Sequence, residues 1–368
     1  MITRFEVLGF KRFHQQSFDF LPLTVLTGMN GAGKSSLIQS VLLVWEASVG
    51  GSGSTVRLND TLGMDLGTAE DVRNWKSGDL IELHVSDNAG NRSTWSFGVP
   101  SGEVPYLSVK NKPANQLIAF SGDPRSFTYL SAERLGPRSV YKASSMPASM
   151  LEVGVFGEHC AQILYLIGET PLDDGERLHP TRKDGDPRFV KYEVERWLSE
   201  IARPVELDAV QYSGSTLTGL RFRAPGGEWV KGPNMGFGVS YALPIILAGL
   251  TAKRGGLLLV ENPEAHLHPA GQSRMGVFLG WLAGRGVQVV LETHSDHVLN
   301  GIRRAVGEFQ YLDHDKAAVH FFGPSNGDEL SIHKLGFTTL GSLSNWPKGF
   351  FDQYQTDVGS LGRIRRRS

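Results

Sequence analysis

Apolar residues come in short runs of two periodicities, and the switches between them divide the chain. Residues 2–27 carry two strand-like runs separated by Gly9-Phe-Lys-Arg-Phe13, followed by Leu23-Thr-Val-Leu-Thr27, apolar and β-branched enough for a buried strand. Ser36-Leu-Ile-Gln-Ser-Val-Leu-Leu-Val-Trp45 then reads as an apolar helix, and Gly50-Gly-Ser-Gly-Ser54 punctuates the chain behind it. From Val56 to about Leu130 the pattern favours short strands. Leu80-Ile-Glu-Leu-His-Val85 and Ser93-Thr-Trp-Ser-Phe97 alternate across Asp87-Asn-Ala-Gly-Asn91, a hairpin signature within an antiparallel β lobe. Between 147 and 203 the spacing turns helical over Ala161–Gly168 and Phe189–Ala202, with the polar, breaker-rich 173–187 between them predicting a mobile loop. Strands return from Val205 to Val230. Two more apolar strands, Gly255–Glu261 and Val287–Glu292, flank a helix from Gly271 to about Ala283.

These patterns predict an α/β chain with no internal repeat and no long low-complexity tract. The expected division is an N-terminal β lobe with a phosphate loop (1–146), a helical insertion (147–204), the remainder of the core (205–312) and a small C-terminal extension with a basic tail (313–368).

The first chemistry lies at the strand–loop–helix corner, where Gly28-Met-Asn-Gly-Ala-Gly33-Lys34-Ser35 spells G-x-x-x-x-G-K-S. The flanks matter as much as the string. A buried strand and a helix N-terminus aim backbone N–H groups at phosphate oxygens, and the helix dipole adds to the attraction. An accidental glycine turn would need neither flank. Asn30, Gly31, Ala32, Gly33, Lys34, Ser35 and Ser36 are therefore the expected nucleotide contacts. Lys34 would reach the β- and γ-phosphates and the Ser35 hydroxyl would ligate Mg²⁺, so the expected cofactors are ATP and Mg²⁺.

The second half offers more of such a site. Glu261 ends an apolar strand, where phosphate-loop enzymes keep an acid for the metal; read alone, it fits a surface loop acid equally well. Asn262-Pro-Glu-Ala-His-Leu-His-Pro269 follows, and the next strand ends in Glu292-Thr-His294-Ser295. A histidine there, beside the metal-holding strand, can contact a γ-phosphate. His266 and His268 form H-x-H with no cysteine partner nearby, so zinc is not expected. Upstream, Asn234-Met-Gly236-Phe-Gly238-Val-Ser240 precedes an apolar helix that Ser240 is expected to open. Two readings stay open for it: a glycine turn before a core helix, or a second anion-binding helix N-terminus that meets a nucleotide held by another copy.

Composition narrows the setting. A formal net charge of −1 gives no global argument for nucleic acid or membrane, and only the tip Arg363-Ile-Arg365-Arg366-Arg367 is strongly basic. The single cysteine, Cys160, excludes an internal disulfide framework and reads as a buried thiol on a helix, suited to a reducing cytoplasm. No signal peptide is expected at Met1-Ile-Thr-Arg-Phe5, and the longest apolar run, Ala242–Leu250, is too short to span a bilayer. A cytoplasmic protein without a membrane partner is expected.

Taken in order, the elements resemble the ABC-type ATPase heads of the RecF, SMC and overcoming-lysogenization-defect (OLD) families. The order runs Gly9–Phe13 turn, Gly28–Ser35 loop, signature-like Gly236–Ser240, Glu261, His294. Four strings are also similar to a bacterial subfamily of stand-alone AAA ATPases with a C-terminal domain of unknown function. They are Val260-Glu-Asn-Pro-Glu-Ala-His-Leu-His-Pro-Ala-Gly-Gln-Ser273, Glu292-Thr-His-Ser-Asp-His-Val-Leu-Asn-Gly-Ile-Arg303, Asn345-Trp-Pro-Lys-Gly-Phe-Phe-Asp-Gln353 and Ala132-Glu-Arg134-Leu-Gly-Pro-Arg138. The resemblance implies a P-loop ATPase head with an antiparallel β lobe and a helical insertion, two heads sandwiching two ATP molecules. It implies Lys11 and Arg12 near the nucleotide, and Gly236, Gly238 and Ser240 against the nucleotide of the opposite subunit. It places a loop sensing Mg²⁺ and the γ-phosphate at 58–67 and matches Glu261 and His294 to catalytic positions; Asn262 and Glu264, which depart from the family pattern, complete the candidate catalytic set.

Two departures shape the functional expectation. Most such heads have a glutamate base after the metal-holding acid; here Asn262 cannot accept a proton. A loose phosphoryl-transfer transition state lets water positioning count for more than proton removal, so slow hydrolysis is expected, with Glu264 or Glu292 as substitute carboxylates. The segment 147–203 is too short for an SMC coiled coil, and the residues beyond His294 lack an OLD-like nuclease cluster. The expected function is thus a slow ATPase acting as a nucleotide-gated dimer or higher oligomer that controls a separate effector protein, with anti-phage defence resting on family analogy. Two alternatives remain: a RecF-like clamp on DNA, whose binding would be salt-sensitive and need Lys34, and a scaffold that binds ATP without useful turnover.

Overall fold

The computed structural model describes residues 1–50, 53–114, 117–172, 175–324, 331–352, 356–358 and 360–361. The basic run from Arg363 to Arg367 lies outside the described residues, as do Gly51 and Ser52 of the glycine–serine stretch and Asp173 and Asp174 of the polar loop. The first half runs β1 (Ile2–Phe10), β2 (Phe13–Asp19), β3 (Leu23–Gly28), α1 (Lys34–Val49), β4 (Thr55–Arg57), α2 (Ala69–Val72), β5 (Leu80–Asp87), β6 (Arg92–Gly98), β7 (Tyr106–Asn111), β8 (Phe127–Leu130) and β9 (Tyr141–Lys142). It continues with α3 (Cys160–Ile167), α4 (Val190–Ile201), β10 (Glu206–Gln211), β11 (Leu217–Arg223), β12 (Val230–Lys231), α5 (Phe237–Thr251), β13 (Leu257–Glu261), α6 (Pro269–Gly284), β14 (Gln288–Glu292), α7 (Asp296–Gly307), β15 (Ala317–Phe322) and β16 (Ile332–Gly336).

The β lobe is a six-stranded antiparallel sheet ordered β2-β1-β5-β6-β7-β4. Its β5–β6 hairpin turns where the sequence indicates, because Asp87 Oδ1 accepts the N–H groups of Ala89 and Asn91 at 2.9 and 2.8 Å. A small sheet orders β10-β11-β12, with β9 also paired to β11.

The central sheet is ordered β16-β15-β3-β14-β13-β8, with β15 to β8 parallel and β16 antiparallel at one edge. Both faces are covered, which is why its strands read as unbroken apolar runs. Leu258 and Val260 enter one core, with residues of α3 to α7; Leu257 and Leu259 enter the other, with α1 and the lobe. The residues after 312, expected as a small extension, begin with β15, which pairs with β3 from Ala317↔Leu23 to Phe322↔Gly28. The expected helix at Gly271 starts at Pro269, a position where proline loses no helical hydrogen bond.

Helices α6 and α7 meet backbone to backbone. A Cβ at Gly276 would strike the Val298 carbonyl oxygen, and one at Gly301 the Ser273 carbonyl oxygen. Gly276→Ala would gain about 1 kcal/mol of helix propensity but must push α7 outward. We expect a net loss of about 2 kcal/mol from overpacking, read as a lower melting temperature in a denaturation scan. An unchanged or raised melting point would show that the two helices separate freely.

Candidate nucleotide-binding site

Strand β3 ends at Gly28, and the chain turns through left-handed Gly28 (φ 128°), Gly31 (φ 70°) and Gly33 (φ 113°) into α1. Gly28 lies against β15: a side chain there would strike the Phe322 carbonyl oxygen, which accepts the Met29 N–H at 2.9 Å. This tie leaves Met29, Asn30, Gly31 and Ser35 exposed, with Ala32 and Ser36 half-buried. The first-turn N–H groups of α1 have no intrahelical acceptor and open toward that exposed side, so the corner is built for an anion.

Lys34 is only 3% exposed. Its Nζ donates to the carbonyl oxygens of Gly28 (3.1 Å) and Met29 (2.8 Å) and stands 3.6 Å from Glu292 Oε1. Burial holds the ammonium below the usual lysine range, and Glu292 opposes that shift. Its partners are thus two neutral carbonyls and one carboxylate at long range.

The parallel register puts two acids side by side, pairing Glu261 at the end of β13 with Glu292 at the end of β14. Burial and the Glu292 charge raise the Glu261 pKa, while the Tyr129 hydrogen bond, the Ala132 backbone and Arg134 pull the other way. Tyr129 donates its hydroxyl to Glu261 Oε1 at 2.9 Å. Beyond the acids, His294 is exposed, with Nε2 3.7 Å from Glu292 Oε1. Asn262 adopts φ 44° and donates its N–H to the Glu292 carbonyl at 2.9 Å. Both Glu264 oxygens are engaged, by Thr293 Oγ1 at 2.7 Å and the His294 N–H at 2.8 Å.

Two neighbouring carboxylates at a buried lysine suit a divalent cation that arrives with phosphate. Magnesium is usually held by one or two protein oxygens plus phosphate and water. Among the described residues no group of three or more His, Cys, Asp or Glu could hold a metal by itself. His268 instead caps α6, its Nδ1 accepting the Ala270 N–H at 3.4 Å, and His266 packs on Tyr241 with ring centroids 4.3 Å apart.

The β1–β2 turn brings the basic pair to the same corner. Arg12 donates to the Gly31 carbonyl, and Lys11 Nζ donates to Gln39 Oε1 on α1 at 2.7 Å. The loop 58–67 is closed by Asn59, whose Oδ1 accepts the N–H groups of Leu66 and Gly67 at 2.8 and 3.0 Å. Upstream of α5, Gly236 takes φ 98° and the helix starts at Phe237, so Ser240 lies one turn inside and is buried rather than opening the helix. Gly238 sits against the turn after Asn262: a Cβ there would stand 3.2 Å from the His266 carbonyl oxygen.

Three family models match segments of the chain. Residues 163–300 match one described as "AAA domain, putative AbiEii toxin, Type IV TA system", 4–96 match a second AAA domain, and 312–361 match a protein of unknown function, DUF3696. No curated protein matches the chain. Among solved structures, an SMC head bound to the C-winged helix domain of ScpA aligns at TM-score 0.53 and 13% identity, over 91% of this chain and 97% of that one. An SMC head with an extended coiled coil, bound to the C-terminal domain of ScpA from Pyrococcus furiosus, aligns at TM-score 0.51 and 12% identity, over 99% of each. The fold is that of an SMC-type P-loop ATPase head. Two separate segments of its sequence match AAA-domain models.

Tyr129 and Gln39 join the corner without having been among the expected site residues, and Glu292, expected only as a substitute carboxylate, stands beside Glu261 and Lys34. For Glu292 a signal existed: two apolar strands that both end in glutamate become neighbours in a parallel sheet. A carboxyl whose folded pKa lies above its unfolded value opposes folding while ionised, and that penalty fades as pH falls through the folded pKa. Glu261 is such a group. Glu261→Gln should therefore melt above wild type at pH 7.5 without nucleotide, with the gap narrower at an acidic pH. Melting below wild type at both pH values would mean that its partners stabilise the charge more than burial penalises it.

Proposed function

We propose that the chain binds Mg-ATP and acts as a nucleotide-gated dimeric switch with slow turnover. The observation that carries this reading is the convergence of a buried, under-compensated Lys34 with paired Glu261 and Glu292 at an open phosphate loop. The loop amides from Asn30 to Ser36 and Lys34 hold the phosphates, with Lys11 and Arg12 closing the same corner from the lobe. Ser35 and Glu261 hold the cation, which neutralises charge developing between the phosphates. Asn262 orients the attacking water and His294 contacts the terminal phosphate; the left-handed backbone at Asn262 (φ 44°) suits asparagine better than glutamate. Exposed Gly236 and half-buried Gly238 at the start of α5 cover the nucleotide of a second subunit.

A separate effector protein reads the closed dimer. A place in a defence system rests on family analogy alone; the family model matched over 163–300 is described as a putative toxin of a type IV TA system, and no residue of the site bears on the role.

Light scattering with and without Mg-ATP tests the switch. The expected result is a doubling of mass in wild type that is absent in Lys34→Ala; an unchanged mass would overturn the gated dimer. Phosphate release is expected to be slow but above that of Lys34→Ala. Release equal to that of the variant, with ATP still bound, would reassign the chain to a binding scaffold.

A further inference from the structure

We infer that Arg134 is a positioning residue that ties the strand end bearing Glu261 and Asn262 to the first turns of α5. What seats on the Gly236–Ser240 segment is thereby felt at the acid of the same subunit. The meaning of that acid rests on the proposed nucleotide site; the coupling rests on geometry.

Arg134 is 2% exposed, and its partners are unusual for a buried charge. Nη1 donates to the carbonyl oxygens of Ser131 (2.9 Å) and Glu261 (2.7 Å), and Nη2 to that of Asn262 (2.6 Å). Nε has no hydrogen-bond partner among the described residues. Removing a guanidinium from water is costly unless its donors are well used, and here two of the three bonds go to main-chain oxygens of the residues that carry the chemistry. A planar fork can fix two successive carbonyls at once. Burial pulls the group down to about 10, with the Glu264 charge opposing, so it stays charged at neutral pH.

The other face of the guanidinium meets α5. Its central carbon lies 5.6 Å from the Tyr241 ring centroid, close enough for cation–π attraction. Tyr241 packs on His266 at 4.3 Å, and exposed Phe237 on the same imidazole at 5.1 Å. His266 ends the turn from Asn262, whose carbonyl also accepts the Ala265 N–H at 3.1 Å. Glu264 in that turn braces Thr293 and the His294 backbone. Displacing Phe237 or Gly238 therefore pushes on His266, and Arg134 converts the push into movement of the Glu261 and Asn262 carbonyls. In a sandwich dimer, the segment that covers one nucleotide would set the geometry around the other.

Hydrogen exchange on the nucleotide-free full chain tests the coupling without relying on ATP. Arg134→Met and Tyr241→Leu should each speed exchange across 261–266 and 293–295 by about tenfold, leaving the β lobe as protected as in wild type. Arg134→Lys should recover part of the protection, since an ammonium reaches one carbonyl but cannot fork two. In turnover assays the same variants should lower kcat by about tenfold while KM for ATP moves less than about threefold. Unchanged exchange over 261–266 in Arg134→Met and Tyr241→Leu would overturn the inference. So would loss of protection spread evenly over the whole sheet, which marks Arg134 as a general structural anchor. Absence of ATP binding in wild type would instead sink the nucleotide reading, with the exchange data still deciding the coupling.

Discussion

Parallel pairing of β3 with β14, and of β14 with β13, is the constraint from which the rest of the site follows. With Leu26 opposite Glu292 and Glu292 opposite Glu261, the phosphate loop and both acids leave the sheet at one edge. Open parallel sheets gather ligands at the carboxyl ends of their strands because loops and helix N-termini converge there. Here the same register forces two glutamates together, a like-charge contact that would normally be avoided. Lys34 and Tyr129 partly relieve it. The corner is stable enough to fold, yet retains an unmet demand for positive charge.

The lobe does more than cover the sheet. Its β1–β2 turn reaches across to α1 and the phosphate loop, so Lys11 and Arg12 join a corner built mainly by the central sheet. Asn74 holds that turn from below by donating to the Lys11 carbonyl at 2.7 Å, and Lys11 itself adopts φ 48°. A left-handed lysine in a tight turn is strained, and such strain persists only where surrounding contacts fix it. The basic pair is therefore pre-aimed by the fold and does not wait for a ligand to order it.

Much of this was legible in the chain. The phosphate loop could be read because its spacing and flanks are local, and the hairpin at Asp87–Asn91 because asparagine, aspartate and glycine specify a turn by themselves. Strand ends at Glu261 and Glu292 were also visible, as apolar runs closed by a charge. Less legible were features decided by distant partners. Nothing in Ala317–Phe322 says that it will lie beside β3. The start of α5 moved to Phe237 because Gly236 supplies the positive φ that ends the preceding chain direction, which a helical pattern alone does not reveal. Arg134 stood out only as part of a string similar to a known subfamily, as a site or interface candidate; two of its carbonyl partners, Glu261 and Asn262, lie far along the sequence.

Gly28 against Phe322 has a consequence for the order in which the molecule is made. Strand β3 and the phosphate loop are made well before β14 and β15, the neighbours on either side of β3. Long-range parallel pairing is slow because the intervening chain must be closed before any contact forms. The glycine loop thus waits through the synthesis of all the intervening chain for the strand whose carbonyl shapes it, while the antiparallel lobe, with its near-neighbour hairpins, can assemble on the ribosome. The loop's final shape therefore waits on β15, and a ribosome stalled before Phe322 would display a formed lobe beside an unfinished glycine corner.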